Sequence, residues 1–207
     1  MNIAIAILTL CIAAVSYGLY FHDMFKGKTK PHSVTWLIWA GLNGFIFSQQ
    51  LLNGAGPGAW VTGAAALANA AIFALSFKYG EKKISMFDWL CIGLVVVVFG
   101  VWLGTADSEL TILAAISIFM LGLLPTVIKA HKKPSEETAL TFLLNGIKFL
   151  LAFYALETVT FVTAAYPLSL FVANTLLGIY LLKVRAHRKH KARHTYKTRR
   201  KTRSKKA

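Results

Sequence analysis

The sequence predicts an all-α membrane protein with seven transmembrane helices, and two observations lead to this prediction. The 207-residue chain is 56% apolar, with a mean hydropathy of +0.57, which exceeds the roughly 45–50% apolar share of a soluble domain. Seven apolar runs also reach the roughly 17–25 residues that a membrane-spanning helix needs. They lie near residues 3–21, 34–53, 57–77, 86–104, 109–129, 138–156 and 160–182.

The first run follows no Lys or Arg, so it lacks the basic region of a secretory signal and is expected to remain as the first span. Cys11 and Cys91 both lie within apolar runs. A thiol in such a position usually behaves as a small apolar side chain. The two cysteines therefore predict neither a disulfide framework nor a metal site.

Basic residues lie on alternate connections between the seven runs. Of the 23 Lys and Arg residues, 22 follow the first, third, fifth or seventh run. The intervening connections, NGAGPG, GTADSE and ETVT, contain none. Because Lys and Arg stay on the cytoplasmic side, we expect the amino terminus outside and the carboxyl terminus inside, in a plasma membrane or bacterial inner membrane.

Short segments recur about a hundred residues apart and indicate an internal repeat. The matches run in the same order, at offsets of 102 to 105 residues: Pro31 with Pro134, Leu42-Asn43-Gly44 with Leu144-Asn145-Gly146, and Ala68-Asn69 with Ala173-Asn174. Each copy would contain three spans. An odd linker span returns the chain to the side from which a second copy starts in the same orientation, as in transporters with parallel repeats.

The repeat predicts the domain organisation. We expect a first three-helix repeat in residues 1–83, a linker transmembrane helix in 84–106, a second three-helix repeat in 107–183 and a disordered basic cytoplasmic tail in 184–207.

This 3+1+3 order, with Leu-Asn-Gly in spans two and six and a mid-span Asn in spans three and seven, resembles the PQ-loop superfamily, which includes the SWEET sugar transporters. In the second copy, PTVIKAHKKPSEE resembles the Pro-Gln turn of the family, and FLLNGIKFLLAFYALE is similar to the sixth span of SWEET proteins. Three positions depart from the family pattern: Thr126 replaces Gln, the first copy has FHDMFKGK without Pro, and Phe149 replaces a usual Trp. The resemblance covers nearly the whole chain before Lys183.

Asn69 and Asn174 lie near the middle of spans three and seven. Each amide could make an interhelical hydrogen bond, which contributes about 0.6–2 kcal/mol in membranes. Their equivalence in two parallel copies would instead place them face to face across a central cavity. The resemblance implies the second role, because an Asn pair at these positions in SWEET transporters binds the substrate.

The Leu-Asn-Gly residues Asn43 and Asn145 are predicted to serve helix packing, because each precedes a Gly that permits close approach. Phe47 and Phe149 follow one helical turn later. The resemblance implies that these two aromatic rings border the substrate. The alternative is that they are ordinary core or lipid-facing phenylalanines.

Lys148 is the one basic residue outside the alternating pattern, about ten residues from either end of span six. A charge at this depth usually faces a cavity or a partner, although snorkelling to the interface is an alternative. An anionic or zwitterionic solute would provide a partner, and a neutral Lys148 would need none.

Pro125 and Pro167 lie inside spans five and seven, where proline removes an intrahelical hydrogen bond and bends the helix. The two bends could be hinges or simple kinks. His22 and His32 flank the first basic connection but lack the further ligands of a metal site.

The tail after Lys183 has twelve basic residues and no acid, too polar a composition to fold by itself. We expect it to bind anionic lipid head groups at the cytoplasmic surface. Nucleic acid would attract the same charge, but the lone Tyr196 provides no set of aromatic residues for base stacking, so nucleic acid is not the expected partner.

The sequence contains no catalytic triad, paired carboxylates, phosphate loop or cofactor motif, so we predict neither an enzyme nor a cofactor. The leading hypothesis is a transporter of a small polar solute, sugar-like or another small metabolite, by alternating access around a midplane site. The alternative is a non-transporting seven-helix receptor or adaptor, because cargo receptors such as the KDEL receptor share a similar plan. The identity of the solute and the formation of a homo-oligomer stay open.

Overall fold

The computed structural model describes residues 2–81, 85–104 and 107–204, and every regular element in this part of the chain is helical. The all-helical prediction is therefore confirmed for these residues. The α-helices are α1 (Asn2–Phe25), α2 (Ser33–Leu52), α3 (Trp60–Tyr79), α4 (Met86–Leu103), α5 (Ser108–Lys132), α6 (Ala139–Tyr154) and α7 (Phe161–Ser204), with 3-10 helices at Gly56–Ala59 and Pro134–Glu136. Lys82 and Lys83, which belong to the predicted charge pattern, lie outside the described residues.

Among the described residues, four helical segments are long and apolar enough to cross a membrane: Asn2–Phe25, Gly56–Tyr79, Glu109–Lys132 and Phe161–Lys189. Helix α6 is also apolar, but it is shorter. These lengths and compositions are compatible with an integral membrane protein.

Local sequence explains where several helices begin and end. The Asp107 carboxylate caps α5 by accepting hydrogen bonds from the backbone amides of Glu109 and Leu110, at 2.8 and 3.2 Å. Helix α2 ends at Leu52, and the chain then turns with positive φ at Gly54 (71°) and Gly56 (58°). Glycine adopts this left-handed backbone without steric cost, so the chain can turn sharply toward α3.

We call α1, α2 and α3 the first helix group and α5, α6 and α7 the second helix group, after their order in the chain. In the first group α3 contacts both α1 and α2, and in the second α7 contacts both α5 and α6. The groups meet where α1 packs against α6 and where α2 packs against α5, while α4 packs mainly against α5. Each contact in one group thus has a counterpart in the other.

A chain of aromatic rings connects the two groups through the core. Ring centroids lie 4.8 Å apart for Tyr20 and Trp36, 5.3 Å for Trp36 and Trp39, and 5.2 Å for Trp39 and Phe119. Phe119 then contacts Tyr166 at 6.3 Å, edge to face. These pairs join α1, α2, α5 and α7, and each contributes about 0.5–1.5 kcal/mol beyond its buried area.

The two groups are also joined at both ends of the bundle. We call the end with residues 26–32, 129–138 and 183–189 the basic end. There the Lys30 amide donates to the Glu136 carbonyl at 3.1 Å, and the hydroxyls of Thr29 and Thr138 lie 2.5 Å apart. At the opposite end, with residues 53–59 and 155–160, the Glu157 amide donates to the Ala55 carbonyl at 3.4 Å.

The backbone of α7 stays helical as far as Ser204, past residue 184, where the predicted tail begins. Lys, Arg and Ala favour the helix, and no Gly or Pro interrupts the chain after Gly178. The first turns of the extension also bond to the bundle, since Arg185 donates to the Pro134 carbonyl of the α5–α6 connection and Arg188 donates to carbonyls in the last turn of α5. Residues 205–207 of the predicted tail lie outside the described part.

Candidate functional site

Asn69, one of the predicted substrate ligands, is buried in α3 with 3% of its surface exposed. Its side-chain oxygen accepts a hydrogen bond from the Tyr17 hydroxyl of α1 at 3.2 Å. Tyr17 is itself buried, so this bond satisfies two polar groups within the bundle.

Lys148 of α6 is fully buried, and its Nζ has no hydrogen-bond acceptor among the described residues. The Nζ atom lies 4.1 Å from the ring centroid of Tyr17 and 5.1 Å from that of Phe149. A cation over an aromatic face gains about 2 kcal/mol when it is desolvated. This gain replaces only part of the hydration that a buried ammonium loses.

Tyr17 therefore brings three predicted site residues together. Its hydroxyl binds Asn69, while its ring and that of Phe149 lie close to the Lys148 ammonium. We call Tyr17, Asn69, Lys148 and Phe149 the Tyr17 cluster. It lies between α1 and α3 of the first helix group and α6 of the second.

Two further predicted ligands, Asn174 and Phe47, make their described contacts outside the Tyr17 cluster. Asn174 is buried in α7, where its side-chain amide donates to the Leu170 carbonyl of the same helix at 2.9 Å. Phe47 packs at the opposite end of the bundle, in a small apolar cluster with Ala55, Ala59 and Leu156. Phe149 belongs to the main core instead, so the two phenylalanines predicted to border the substrate pack in different clusters.

The Leu-Asn-Gly asparagines each bind a neighbouring helix. Asn43 of α2 accepts a hydrogen bond from the Tyr166 hydroxyl of α7 at 3.3 Å. Asn145 of α6 accepts from the Ser16 hydroxyl of α1 at 3.0 Å. Both bonds join the first helix group to the second, which fits the packing role that the sequence predicts for these residues.

The predicted hinge prolines, Pro125 and Pro167, lie inside α5 and α7, and both helices continue past them. Pro125 also lines a polar cleft at the basic end. The structure therefore places both prolines in helices of the second group.

A buried ion pair at the basic end was not predicted. The Lys129 ammonium lies 2.7 Å from a Glu137 carboxylate oxygen, and 4% and 2% of the two residues are exposed. Lys129 also donates to the backbone carbonyls of Lys30 and Glu136. Burial raises the pKa of Glu137, against the opposing effect of the Lys129 charge. Because Lys30 belongs to the first helix group, Lys129 of α5 links that group to the α5–α6 connection of the second group.

Further pairs surround this one. His32 lies 3.3 Å from Asp88, and burial lowers the pKa of His32 although Asp88 opposes the shift. Lys133 lies 2.7 Å from Glu81, and this hydrogen bond raises the pKa of Lys133. Burial acts to raise the pKa of Glu81, but the bond and charge of Lys133, together with Lys129, bring it below its ordinary value.

Two side-chain bonds at the basic end are related by a shift of 103 positions along the sequence. The Thr138 hydroxyl donates to the Asp23 carboxylate at 3.0 Å, and the Thr126 hydroxyl donates to the Thr35 hydroxyl at 3.0 Å. Asp23 and Thr126 are 103 positions apart, and so are Thr35 and Thr138. Each bond joins the end of one group's first helix to the start of the other group's second helix, and we call the two bonds the crossed clasps.

The cavities lined by described residues include three that bear on the site. An apolar cavity of about 340 Å³ lies between α2, α4 and α5. Two polar clefts of about 410 and 390 Å³ lie at the basic end, one beside His32 and Asp88 and one beside Arg185 and Arg188. Asn69 and Asn174 line none of these three.

Tyr17 and the basic-end pairs are the site features that sequence reasoning missed. Tyr17 is one of seven tyrosines, and only the packing of α1 against α3 and α6 distinguishes it. The acids Glu81, Asp88 and Glu137 lie at helix ends in the sequence, where exposed carboxylates are ordinary. The Lys-Pro and Glu-Glu segments near them carry no spacing that predicts burial.

The resemblance to the PQ-loop superfamily stays a prediction from sequence motifs. No protein-family model, curated protein or solved structure matches this chain. The contacts of the Tyr17 cluster and of the two bundle ends are therefore the basis on which a function can be assigned.

Proposed function

We propose that this chain is a membrane transporter of a small polar solute. The observation that supports this most directly is the fully buried Lys148 ammonium, which lacks a hydrogen-bond acceptor among the described residues. An ionisable group deep in a membrane protein is costly and usually serves an ion or substrate pathway. A solute with an acceptor group would supply the missing partner.

The proposal includes two parallel three-helix repeats, residues 1–83 and 107–183, with α4 as the linker. The matching contacts of the two helix groups support this arrangement, since α1 with α6 corresponds to α5 with α2. The crossed clasps support it at the level of side chains, because a shift of 103 positions converts one into the other.

The Tyr17 cluster offers chemistry suited to a small polar solute. Lys148 can donate to a carboxylate, phosphate or hydroxyl. The amide of Asn69 can both donate and accept, and the Phe149 ring presents an apolar face to a sugar ring or heterocycle. The buried positive charge favours an anionic or zwitterionic solute over a neutral one, while the amide and the aromatic face also suit a sugar.

Alternating access would require the two ends of the bundle to open in turn. At the basic end, which we place in the cytoplasm, opening would break the crossed clasps and the Lys30–Glu136 ion pair at 3.2 Å. At the opposite end it would break the bond from Glu157 to Ala55. Pro125 and Pro167 would act as hinges within α5 and α7.

Uptake into liposomes tests this proposal. Purified full-length protein should accelerate entry of at least one solute from a panel of mono- and disaccharides, amino acids and small organic anions. Asn69→Ala and Asn174→Ala should each reduce uptake roughly tenfold or more while folded protein is retained, because each removes a hydrogen-bonding group from a desolvated site. Lys148→Met should abolish uptake of an anion but reduce uptake of a neutral sugar much less.

Asn43→Ala is the matched control, since it removes a buried amide that bonds to Tyr166 across the group interface. It should lower thermal stability more than it lowers the uptake rate per folded molecule. If Asn43→Ala and Asn69→Ala have the same effects on stability and uptake, the Asn69 amide is structural.

A non-transporting receptor or adaptor is the second candidate. It is favoured by the hydrogen bonds of Asn69 with Tyr17 and of Asn174 with the Leu170 carbonyl, which engage both amides within the bundle. A solute panel that gives neither uptake nor thermal stabilisation, with Asn69→Ala and Asn174→Ala only unfolding the protein, would support this candidate against the transporter.

A further inference from the structure

A second feature, separate from the Tyr17 cluster, is a basic cleft between the α5–α6 connection and α7. It has a volume of about 390 Å³ and is lined by Pro134, Ser135, Arg185, Arg188 and Lys189. Three of these five residues are cationic and none is acidic. The cleft lies at the start of the basic extension of α7, just after the apolar run that ends near residue 182.

Backbone carbonyls orient both arginines of the cleft. The Arg185 Nε donates to the Pro134 carbonyl at 2.8 Å, and its Nη2 donates to the Glu137 carbonyl. Arg188 donates through Nη1 to Lys132 and through Nη2 to His131, at 3.1 and 2.6 Å. Each guanidinium has five N–H donors, so these bonds leave donors on both arginines for a further acceptor.

The nearby carboxylates are engaged by other lysines. Glu136 pairs with Lys30 at 3.2 Å, and Glu137 pairs with Lys129 at 2.7 Å. The bonds described for Arg185 and Arg188 go to carbonyls, which fix the side chains without neutralising their charge. The cleft thus presents positioned positive charge without a carboxylate in its lining.

We propose that this cleft binds the phosphate of an anionic lipid head group. Guanidinium groups bind phosphate through paired, charge-assisted hydrogen bonds, and the Ser135 hydroxyl adds a donor at the rim. We assign the phosphate to a lipid because the cleft adjoins the end of the apolar run in a helix that is long and apolar enough to span a membrane. Cytoplasmic leaflets are rich in anionic lipid. The site would hold one lipid with defined stoichiometry, whereas a diffuse interaction with the tail would not. This lipid site does not depend on the transport proposal.

Native mass spectrometry of the full-length protein in nonionic detergent tests this site, with short-chain phosphatidylglycerol as the probe and phosphatidylcholine as the uncharged comparison. One phosphatidylglycerol should bind in preference to phosphatidylcholine. The double variant Arg188→Gln/Lys189→Gln should weaken this binding roughly tenfold or more, as expected for the loss of charge-assisted contacts. The matched control Arg199→Gln/Arg200→Gln removes the same charge farther along α7 and should change it less than threefold.

Lys189→Glu provides a second variant, because Lys189 makes no hydrogen bond to the backbone of the described residues. It should weaken binding even if the double variant unfolds. Equal weakening by the cleft and control doubles would overturn the site in favour of diffuse attraction to α7. Inorganic phosphate that competes fully at millimolar concentration, with the same dependence on Arg188 and Lys189, would overturn the lipid assignment in favour of a soluble anion.

Discussion

Lys148 shows how far a single residue can be understood from sequence. Its depth in an apolar run follows from counting positions, and its burial agrees with that count. Its surroundings could not be predicted, because the Tyr17 ring reaches it from α1, more than a hundred residues earlier. Sequence periodicity places residues along one helix, whereas the contact between α1 and α6 depends on how the whole bundle packs.

Lys148→Met should raise thermal stability while it impairs function. The substitution replaces a buried ammonium that has no acceptor among the described residues with an apolar side chain of similar length. Removal of the desolvation cost should outweigh loss of the contact with the Tyr17 ring. We expect the melting temperature in detergent to rise by roughly 2–4 °C, the shift that about 1 kcal/mol gives at this chain length.

A melting temperature that falls by a similar amount would contradict this prediction and would make Lys148 a structural residue. Ile147→Met is a suitable comparison, since Ile147 is a neighbouring exposed residue on α6. It should leave the melting temperature nearly unchanged.

At the scale of elements, the helices were easier to predict than the connections between them. Each apolar run coincides with a helix, and Asp107 and Gly54 mark the start of α5 and the turn after α2. The connections at the basic end contain charged residues that are expected from sequence to be exposed to solvent. The structure instead buries Lys129 with Glu137 and His32 with Asp88, because α1, α2, α4 and α5 converge there.

Glu137→Gln should be strongly destabilising. It leaves the Lys129 ammonium buried without a carboxylate, and loss of one partner of a buried ion pair costs about 3–5 kcal/mol. Thermal unfolding in detergent would measure this loss. The double variant Lys129→Met/Glu137→Leu removes both charges and should recover most of the lost stability. A double variant as unstable as Glu137→Gln would show that the two residues act independently.

His32 should make the protein less stable in mild acid. Burial lowers its pKa below the ordinary 6.5, so between that value and the folded-state pKa the unfolded chain binds more protons, and stability falls as the pH falls. Asp88, Glu81 and Lys129 are the charged groups that act on His32. We expect the melting temperature to drop between pH 7 and pH 5.

His32→Gln should make that drop smaller when the two proteins are compared at each pH. Glu137 acts in the opposite direction, because its raised pKa makes the folded state gain protons as the pH falls. The comparison with His32→Gln isolates the histidine, since Glu137 is present in both proteins. Identical pH profiles would exclude His32 as the source of the drop.

At the scale of the whole molecule, the charge pattern predicts that the basic connections lie at one end of the bundle. The described basic connections, represented by Lys30, Lys133 and Arg185, lie together at one end of the bundle. Within the bundle, the contacts of α3 with α1 and α2 are matched by those of α7 with α5 and α6. The site was less predictable, because Asn174 and Phe47 lie apart from the cluster that contains Asn69, Lys148 and Phe149.

Cysteine labelling tests the membrane topology. In a background with Cys11→Ala and Cys91→Ala, Asn53→Cys should react with a membrane-impermeant maleimide added to intact cells. Ser135→Cys should react only after permeabilisation. Asn53 and Ser135 are both exposed and lie at opposite ends of the bundle. The reverse pattern would place the basic end outside and would contradict the charge rule from which the topology is inferred.

The crossed clasps make each three-helix unit complementary to a copy of itself. The first unit contributes Asp23 and Thr35, and the second contributes Thr126 and Thr138. Each unit therefore contributes one residue near the end of its first helix and one at the start of its second helix. Two copies of residues 1–83 could form Asp23–Thr35 bonds reciprocally about a two-fold axis, as in an isologous dimer. The interface between the helix groups thus has the form of a symmetric subunit contact contained within one polypeptide.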